Sequence, residues 1–208
     1  GDRVTCLVRK TSKVDRLEPL GVSFCYGDVT EPESLPAAID GKTVVYHLAG
    51  LTKALSREQL HRVNEDGVRN VARACARLTT PPVMVLVSSL AAAGPSPAGR
   101  LRTEDDPLQP VSYYGQSKLS GELAARSFAD RVPISVVRPP IVFGEGDPAT
   151  FEMFRAIKRS RIHFVPGLGN HAFSLVHAGD LADLLIRAAD HGERLPAGND
   201  GAASPGRG

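Results

Sequence analysis

Two side chains four residues apart, Tyr114 and Lys118, have the types and the spacing that could do chemistry in this sequence. On a helix, an i, i+4 spacing places both on one face, within reach of the same ligand. A phenol with an ordinary pKa of about 10 is a poor acid or base at neutral pH, and a neighbouring ammonium lowers that pKa by favouring phenolate. A hydroxyl from Ser89 would hold a carbonyl or carbinol oxygen beside the phenol. The three groups together would couple proton transfer to hydride transfer.

The spacing by itself is a weak signal, because an exposed helix whose lysine stem lies along the surface gives the same pattern. The position of the pair strengthens it. Ser88-Ser89 closes the apolar run Val83–Val87, and the pair lies at the start of the next helical pattern, after a loop rich in Pro and Gly. Doubly wound sheets bind ligands at the carboxyl ends of their strands, so these positions are typical of a site.

Short apolar runs alternate with amphipathic helical patterns along most of the chain. The predicted strands are Val4–Val8, Val22–Tyr26, Thr43–Leu48, Val83–Ser88 and Ile134–Val137. The predicted helices are Val14–Leu20, Glu31–Ile39 with Thr30 as N-cap, Ser56–Leu78 and Tyr113–Arg131. Strands alternating with helices imply right-handed crossovers, so the fold class is α/β, with a Rossmann-type doubly wound parallel sheet.

From about Pro139 the regular alternation of strands and helices ends, and prolines and glycines cluster. A helix fits Thr150–Arg159, a strand fits Ala172–Val176 and a final helix fits Asp180–Asp190. We therefore predict a main α/β domain over residues 1–140 and a small substrate lobe over 141–197. This lobe would be partly interleaved with the sheet and would cover the carboxyl ends of the strands. Residues 198–208 are predicted to be an unstructured tail.

Composition excludes several function classes. The chain has 25 basic and 23 acidic residues, scattered along its length, and lacks the basic stripe that binds a phosphate backbone, so no nucleic-acid partner is expected. Its apolar stretches are shorter than the ~20 residues that span a bilayer, so no membrane partner is expected. Three widely spaced cysteines suit a reducing compartment, and we expect a cytoplasmic protein. We expect no metal site and interpret His171 and His177 as structural.

Three segments carry a resemblance to a known family. They are Val-Ser-Ser-Leu-Ala-Ala-Ala-Gly (87–94), Ser-Tyr-Tyr-Gly-Gln-Ser-Lys (112–118) and Val-Arg-Pro-Pro-Ile-Val-Phe-Gly-Glu-Gly-Asp (137–147). Together they resemble the extended short-chain dehydrogenase/reductases, also called the NAD-dependent epimerase/dehydratase family, over almost the whole chain. The resemblance implies an NAD(P)-dependent enzyme in which Ser89, Tyr114 and Lys118 are catalytic. Tyr114 would be the acid/base and Lys118 would also bind the cofactor ribose.

The same resemblance implies a set of cofactor-binding residues at strand ends. They are Arg9, Asp28, Val29, Leu48, Ala49, Gly50, Ser88, Tyr114, Lys118, Arg138 and Pro139. Asp28 would contact adenine, the alternative being a carboxylate that caps the next helix. Arg9 at a strand end favours the 2′-phosphate of NADP over NAD, the alternative being a solvated charge. His47 is interpreted as a satisfied core histidine, and Asn64 would support the active site through its backbone.

One departure from the family pattern is the absence of the Gly-x-x-Gly-x-x-Gly turn that cradles the cofactor diphosphate. Gly144-Glu145-Gly146 and Gly167-Leu168-Gly169 read as loops. We therefore interpret the sequence as an N-terminally truncated fragment, with the first strand, the glycine loop and its helix upstream of Gly1. Such a fragment would bind cofactor poorly.

The reaction class depends on two positions where nucleotide-sugar epimerases and dehydratases typically carry an asparagine and a diphosphate-clamping arginine. This sequence has Ile141 and Phe173 there. We predict a ketone/alcohol oxidoreductase acting on an apolar or mixed small-molecule substrate, with Leu90–Ala93 lining the pocket or packing as a loop. Phe151, Met153 and Phe154 would be core or pocket residues. The alternatives are a nucleotide-sugar epimerase/dehydratase and a non-catalytic NADP(H)-sensing or scaffold module. A homodimer through the two long helices is a further expectation.

Overall fold

The computed structural model describes residues 1–97, 99–162 and 173–197. Helices alternate with parallel strands along these ranges, so the predicted α/β class is confirmed. The strands are β1 (Thr5–Val8), β2 (Ser23–Tyr26), β3 (Val44–His47), β4 (Val83–Val87), β5 (Ile134–Val137), β6 (Ile141–Phe143) and β7 (Leu175–His177). The first five follow the apolar runs of the sequence, whereas β6 was not predicted.

The described strands fall into three parallel sheets. β1 pairs with β2, β3, β4 and β5 form a three-stranded sheet with β4 at its centre, and β6 pairs with β7. Residues of β4 alternate between the two faces of the sheet, as its nearly continuous apolar sequence requires. Met84 and Leu86 lie in one core cluster, and Val85 lies in a second one. Helices therefore cover both faces of this sheet.

The helices are α1 (Pro36–Ile39), α2 (Arg57–His61), α3 (Gly67–Ala76), α4 (Leu90–Ala93), α5 (Tyr113–Arg126), α6 (Pro148–Ser160) and α7 (Ala178–His191). A π-helical turn, Arg62–Asp66, joins α2 to α3, so the long helix predicted over Ser56–Leu78 forms in three consecutive parts. Ser56 caps it, because its hydroxyl accepts from the Gln59 amide. Val68, Val71 and Cys75 bury the α3 stripe against the sheet.

Of the two helices predicted in the first 40 residues, the first is wrong and the second forms only in part. Only a 3-10 turn, Glu18–Leu20, forms within the predicted Val14–Leu20 helix, and Gly21 ends it at φ +66°. The Glu31–Ile39 pattern forms a 3-10 turn, Pro32–Ser34, followed by α1. Pro36 has no amide hydrogen, so it can begin a helix but cannot continue one. Thr30 is not the N-cap, because its hydroxyl donates to the Asp28 carboxylate instead.

The helix bounds differ elsewhere by a few residues. α5 ends at Arg126, before the predicted Arg131, and turns follow it. α4 replaces what looked like a loop: Ser89 caps its start, and Gly94 at φ +91° ends it. In the C-terminal part, α6 and α7 are slightly longer than predicted, and β7 begins three residues after Ala172, which lies outside the described residues along with His171.

α7 packs against the three-stranded sheet on the face opposite α3. Its Leu185, Ala188 and Ala189 surround Val85 of β4. The last described helix is therefore part of the main sheet's layers, while β6, β7 and α6 extend from it. The predicted tail, 198–208, lies outside the described residues. None of the described helices is long and apolar enough to cross a membrane.

Candidate active site

Four predicted residues come from the carboxyl ends of β4 and β5, and two more from the first turns of α5. Parallel strands end at one edge of their sheet, so Ser88 and Ser89 after β4 share that edge with Arg138 and Pro139 after β5. The amide of Leu90 donates to the carbonyl of Pro139 at 3.0 Å, which ties the two strand ends together. The backbone at the ends of β4 and β5 therefore forms one continuous edge, and the predicted site residues lie along it.

The side chain of Lys118 is buried at this edge of the sheet. Its side chain reaches from α5 to the end of β4, where Nζ donates to the Val87 carbonyl at 2.7 Å, and the residue is only 6% exposed. Gly50, after β3, faces the same ammonium: a Cβ there would lie 3.6 Å from Nζ. Burial lowers the pKa of Lys118, and the nearby Glu122 carboxylate partly offsets this. The structure thus places a buried ammonium between the ends of β3 and β4.

Tyr114 precedes Lys118 by one helical turn and is half-buried. Ser112 caps α5 by accepting from the Gly115 amide at 3.0 Å, which fixes where the helix starts and hence where Tyr114 projects. The start of α5 is pressed against α4, since a Cβ on Gly115 would lie 2.2 Å from the Ala91 carbonyl oxygen. Only glycine permits this approach.

Ser89, the residue before α4, is the third predicted catalytic group. Its hydroxyl oxygen accepts from the Ala91 amide at 3.2 Å and caps α4. A hydroxyl has one hydrogen to donate besides its lone pairs, so this cap leaves the hydroxyl hydrogen available to a ligand oxygen. Ser89 and Tyr114 therefore sit on two elements, α4 and α5, that are in direct contact.

Asn64 connects the loop after β3 to α5 through its side chain, and support of the active site through its backbone stays a prediction. The side-chain oxygen accepts from the Leu51 amide at 2.8 Å. The side-chain nitrogen donates to the Leu51 carbonyl at 2.8 Å and to the Ser117 hydroxyl at 2.9 Å. Asn64 is fully buried in the π-helical turn. Its amide thus holds the Gly50–Leu51 loop in a fixed position beside Lys118.

A buried ion pair lies next to the site and was missed by the sequence analysis. Glu122 accepts from Arg138 at 2.7 Å and 3.0 Å, and the Ser88 hydroxyl donates to the same carboxylate. Both charged side chains are about nine-tenths buried. Two signals pointed to it: Glu122 is four residues after Lys118 on one helix face, and an arginine that ends a buried strand needs a partner.

His47, at the end of β3, is buried as predicted but is not satisfied. Its Nε2 has no hydrogen-bond partner among the described residues. Burial, together with the positive charge of Lys118, lowers the pKa of His47 to about 3. The imidazole is therefore neutral at physiological pH, which fits a core position beside an ammonium.

The remaining cofactor residues lie at the ends of β1 and β2. The Gly27 amide donates to the Val8 carbonyl at 3.0 Å, so these ends are adjacent. Asp28 Oδ1 accepts from the amide and the hydroxyl of Thr30, both at 2.9 Å. These hydrogen bonds and, more weakly, the Arg9 charge outweigh partial burial and lower the pKa of Asp28. The carboxylate closes a local turn instead of capping a helix.

Three other predicted positions are anchored in different ways. Val29 is buried, and its carbonyl accepts from the Asn70 side chain at 3.0 Å. Leu48, by contrast, is 65% exposed at the end of β3, which is unusual for a large apolar side chain next to a buried strand. Ala49 and Gly50 follow it with little side chain to block a ligand.

His177, predicted to be structural, caps α7 by accepting from the Gly179 amide and packs edge-on against Phe143. Within the described ranges, no group of three or more His, Cys, Asp or Glu side chains is arranged to hold a metal. The cysteines Cys6, Cys25 and Cys75 are free, and burial raises the pKa of the Cys75 thiol to about 11.

The fold and the strand-end site are those of a Rossmann-type α/β protein. The sequence model of the NAD dependent epimerase/dehydratase family matches residues 1–200, and the chain belongs to that family. This confirms the family to which the sequence motifs pointed. The family's dependence on NAD supports a nicotinamide cofactor.

Relatives with named activities include reductases and dehydrogenases. The chain is 34% identical to the ceramide reductase of Caulobacter vibrioides (strain NA1000 / CB15N) over 187 residues, covering 89% of this chain and 53% of that protein. It is 32% identical to human 3 beta-hydroxysteroid dehydrogenase type 7 over 152 residues, covering 66% and 41%. A solved structure of MoeE5 in complex with UDP-glucose and NAD is 25% identical, with a TM-score of 0.78 over 93% of this chain and 66% of that one. The chain spans about half the length of these curated relatives.

Proposed function

We propose that this chain forms the catalytic part of an NAD(P)-dependent oxidoreductase that interconverts a ketone and an alcohol. The observation that carries the proposal is the buried ammonium of Lys118, held on the Val87 carbonyl one helical turn from Tyr114. Burying an ammonium is costly, and its partner here is a neutral carbonyl, with no carboxylate of the described residues within ion-pair distance. A charge kept at such a cost at the strand edge is typical of a functional site.

The residues around the edge fit part of a dinucleotide. Gly50 leaves the space beside Lys118 without a side chain, and the Lys118 ammonium has donor hydrogens besides the one bound to Val87, which suit ribose hydroxyls. The glycine-rich diphosphate turn does not occur in these 208 residues. The residues present therefore fit the nicotinamide-ribose end of the cofactor. When bound, the cofactor supplies or accepts the hydride.

In this proposal Tyr114 donates a proton to the carbonyl oxygen during reduction and accepts it from the alcohol during oxidation. The Lys118 ammonium would bind the ribose beside this oxygen, and the Ser89 hydroxyl donates a hydrogen bond to the same substrate oxygen. Ser89 suits this role because its cap uses only a lone pair. The trio thus positions and protonates one oxygen atom.

Support for an apolar substrate comes from the part of the chain after β5. Ile141 is exposed on β6, and Phe173, just before β7, is 73% exposed. Phe151 and Met153 of α6 are also exposed. We propose that these side chains line the mouth of the site, where a diphosphate clamp would be polar. The reductase and steroid dehydrogenase named above act, by their names, on lipids.

A preference for NADP is supported by Arg9 at the end of β1. It is exposed, and its charge reaches the Asp28 carboxylate at the end of β2. A guanidinium there would bind a 2′-phosphate through charge-assisted hydrogen bonds. Arg9→Asp should lower kcat/KM for NADPH relative to NADH by about 10- to 100-fold, since such bonds contribute about 1.5–3 kcal/mol. An unchanged ratio would assign the arginine to the solvated surface.

The experiment that tests the function is turnover by the purified full-length protein with NADPH and NADH against a panel of apolar ketones. Tyr114→Phe should abolish turnover while leaving cofactor binding intact, and Tyr113→Phe, next to it on the exposed side of α5, is the matched control. Interconversion of a UDP- or GDP-sugar without net cofactor consumption would favour the epimerase/dehydratase alternative. Tight cofactor binding without turnover would favour a sensor or scaffold.

A homodimer through α2, α3 and α5 is also proposed. These helices pack against each other within one chain, and Leu123 of α5 remains 56% exposed. An exposed leucine on a helix that packs a core on its other side suits a helix–helix interface. Sedimentation of the protein and of Leu123→Glu would show a dimer in the first and a monomer in the second.

A further inference from the structure

The ion pair between Glu122 and Arg138 has no part in the mechanism above, yet it is among the most buried charged groups described. Taking two charges out of water is expensive, and the pair is stabilising only where further hydrogen bonds satisfy it. Here Arg138 binds both carboxylate oxygens, and the Ser88 hydroxyl binds one of them. The pair therefore joins three elements: the end of β4, the end of β5 and the middle of α5.

Side chains of α5 bind the two residues that precede Ser89. Lys118 holds the Val87 carbonyl, and one turn later Glu122 holds the Ser88 hydroxyl, so α5 contacts consecutive residues of β4 at two points. Tyr114, Lys118 and Glu122 are spaced by four residues and follow one face of α5. The contacts of Glu122 with Ser88 and Arg138 therefore set the distance between Ser89 and the face of α5 that carries Tyr114.

We infer that Glu122 is a positioning residue, which fixes Ser89 of the β4 end against the Tyr114–Lys118 face of α5 through Ser88 and Arg138. This inference rests on the proposed function. Because the side chains of Ser88 and Arg138 are bound to Glu122, these two residues would contact a cofactor through their backbone atoms.

Few charges of the described residues face Lys118, so the inference can be tested through the pKa of Lys118, without turnover. Glu122 lies on the same helix, Arg138 comes from β5, and the neutral His47 comes from β3. The carboxylate favours the charged form of Lys118, while burial opposes it. Replacing Glu122 by glutamine keeps the shape of the side chain but removes that support and leaves Arg138 unpaired. The pKa of Lys118 should therefore fall.

The experiment compares the parent protein with Glu122→Gln, Ser88→Ala and Glu65→Gln. Glu65 is the matched control, because it pairs with His61 and Arg69 at 2.8 Å and 2.7 Å on the π-helical turn. The first readout is the pH dependence of Lys118 acylation by acetic anhydride, followed by mass spectrometry of the peptide that carries it. The second is kcat and KM with NADPH and an apolar ketone, as a function of pH. The third is thermal unfolding.

Glu122→Gln is expected to make Lys118 reactive at lower pH and to reduce kcat by ~100-fold with little change in the cofactor KM, as for a ~1 Å misplacement of reacting groups. Ser88→Ala, which removes one of the contacts, should reduce kcat less. Glu65→Gln should match the parent in all three readouts. If Glu122 had only a structural role, its replacement would lower the folded fraction. The kcat of the folded protein, and the alkaline side of the pH dependence of kcat, would stay unchanged.

Two results would overturn the inference. One is a Glu122→Gln protein, folded at the assay temperature, whose Lys118 titrates as in the parent. The other is unchanged kcat in that protein when the parent is active. If the parent turns over no ketone, the proposed function fails, and the Lys118 titration alone still decides whether Glu122 positions this face.

Discussion

Replacing Gly121 by alanine should separate two helices that now touch through their backbones. Gly121 is buried in α5, and a Cβ placed on it would lie 2.1 Å from the Asn64 carbonyl oxygen of the π-helical turn. Backbone cannot rotate aside as a side chain can. The two helices would have to move apart by roughly 1 Å to reach ordinary van der Waals contact.

The size of the effect follows from three contributions. Alanine improves helix propensity by about 1 kcal/mol. Overpacking costs about 1–3 kcal/mol. Moving the π-helical turn away also stretches the 2.9 Å hydrogen bond from Asn64 to Ser117, and a buried amide left without that partner costs about 1–3 kcal/mol. The net expectation is a loss of about 3 kcal/mol in the free energy of unfolding.

Urea unfolding followed by far-ultraviolet circular dichroism measures this loss, provided that the slope with denaturant stays the same. Gly67→Ala is the matched control. Gly67 is also buried and helical, but its Cβ would meet a methyl of Val29 at 2.8 Å, which can move. Its expected loss is about 1 kcal/mol. If Gly121→Ala is as stable as the parent or more so, the close backbone contact between the two helices is not real.

Three further predictions concern the same region. Because burial lowers the pKa of His47 to about 3, while an unfolded histidine titrates near ~6.5, the folded state excludes a proton that the unfolded state binds, and stability falls as pH falls. Between about pH 7.5 and about pH 5 the free energy of unfolding falls by about 2 kcal/mol, and His47→Leu should remove this fall. Urea unfolding of the parent and the variant at both pH values measures it, and an equal fall in the two proteins would contradict the prediction. Asn64→Ala leaves the Leu51 backbone groups without their buried partner and should cost about 2–4 kcal/mol in urea unfolding, and a loss well below 1 kcal/mol would mean that water replaces the amide. Ser112→Ala removes the N-cap of α5 and should cost about 1 kcal/mol, against no loss for Ser160→Ala at the C-terminal end of a different helix, α6.

The sequence predicted the strands and long helices because their signals are local. Apolar runs such as Val83–Val87 and the stripe on α3 have the periods of a buried strand and an amphipathic helix. The first 40 residues were harder, because their helical patterns are short and contain Pro19, Pro32 and Pro36, which allow turns more readily than helices. Propensity alone overestimates such segments.

The contacts of the candidate site could be predicted only in part, for a related reason. Motif positions locate Ser89, Tyr114 and Lys118 at the strand edge, and the structure places them on contacting elements. Which partner a side chain chooses depends on residues distant in sequence: Arg138 is 16 residues from Glu122, and Asn64 is 53 from Ser117. Spacing along one helix could not reveal these pairs, and the alternative roles of Asp28 depended on one neighbouring threonine.

The division of the described strands among separate sheets has a consequence for how cofactor choice and chemistry can vary. Arg9 and Asp28 lie on the β1–β2 pair, whose residues are mostly half-exposed, whereas Lys118 and Glu122 are anchored to the buried β4. Regions with little buried surface open and rearrange at lower free energy than a core strand. Exchange of amide hydrogens should therefore be faster in β1 and β2. In the proposed function, the residues that would select the nucleotide follow these strands and could be replaced without disturbing the residues proposed to transfer the proton.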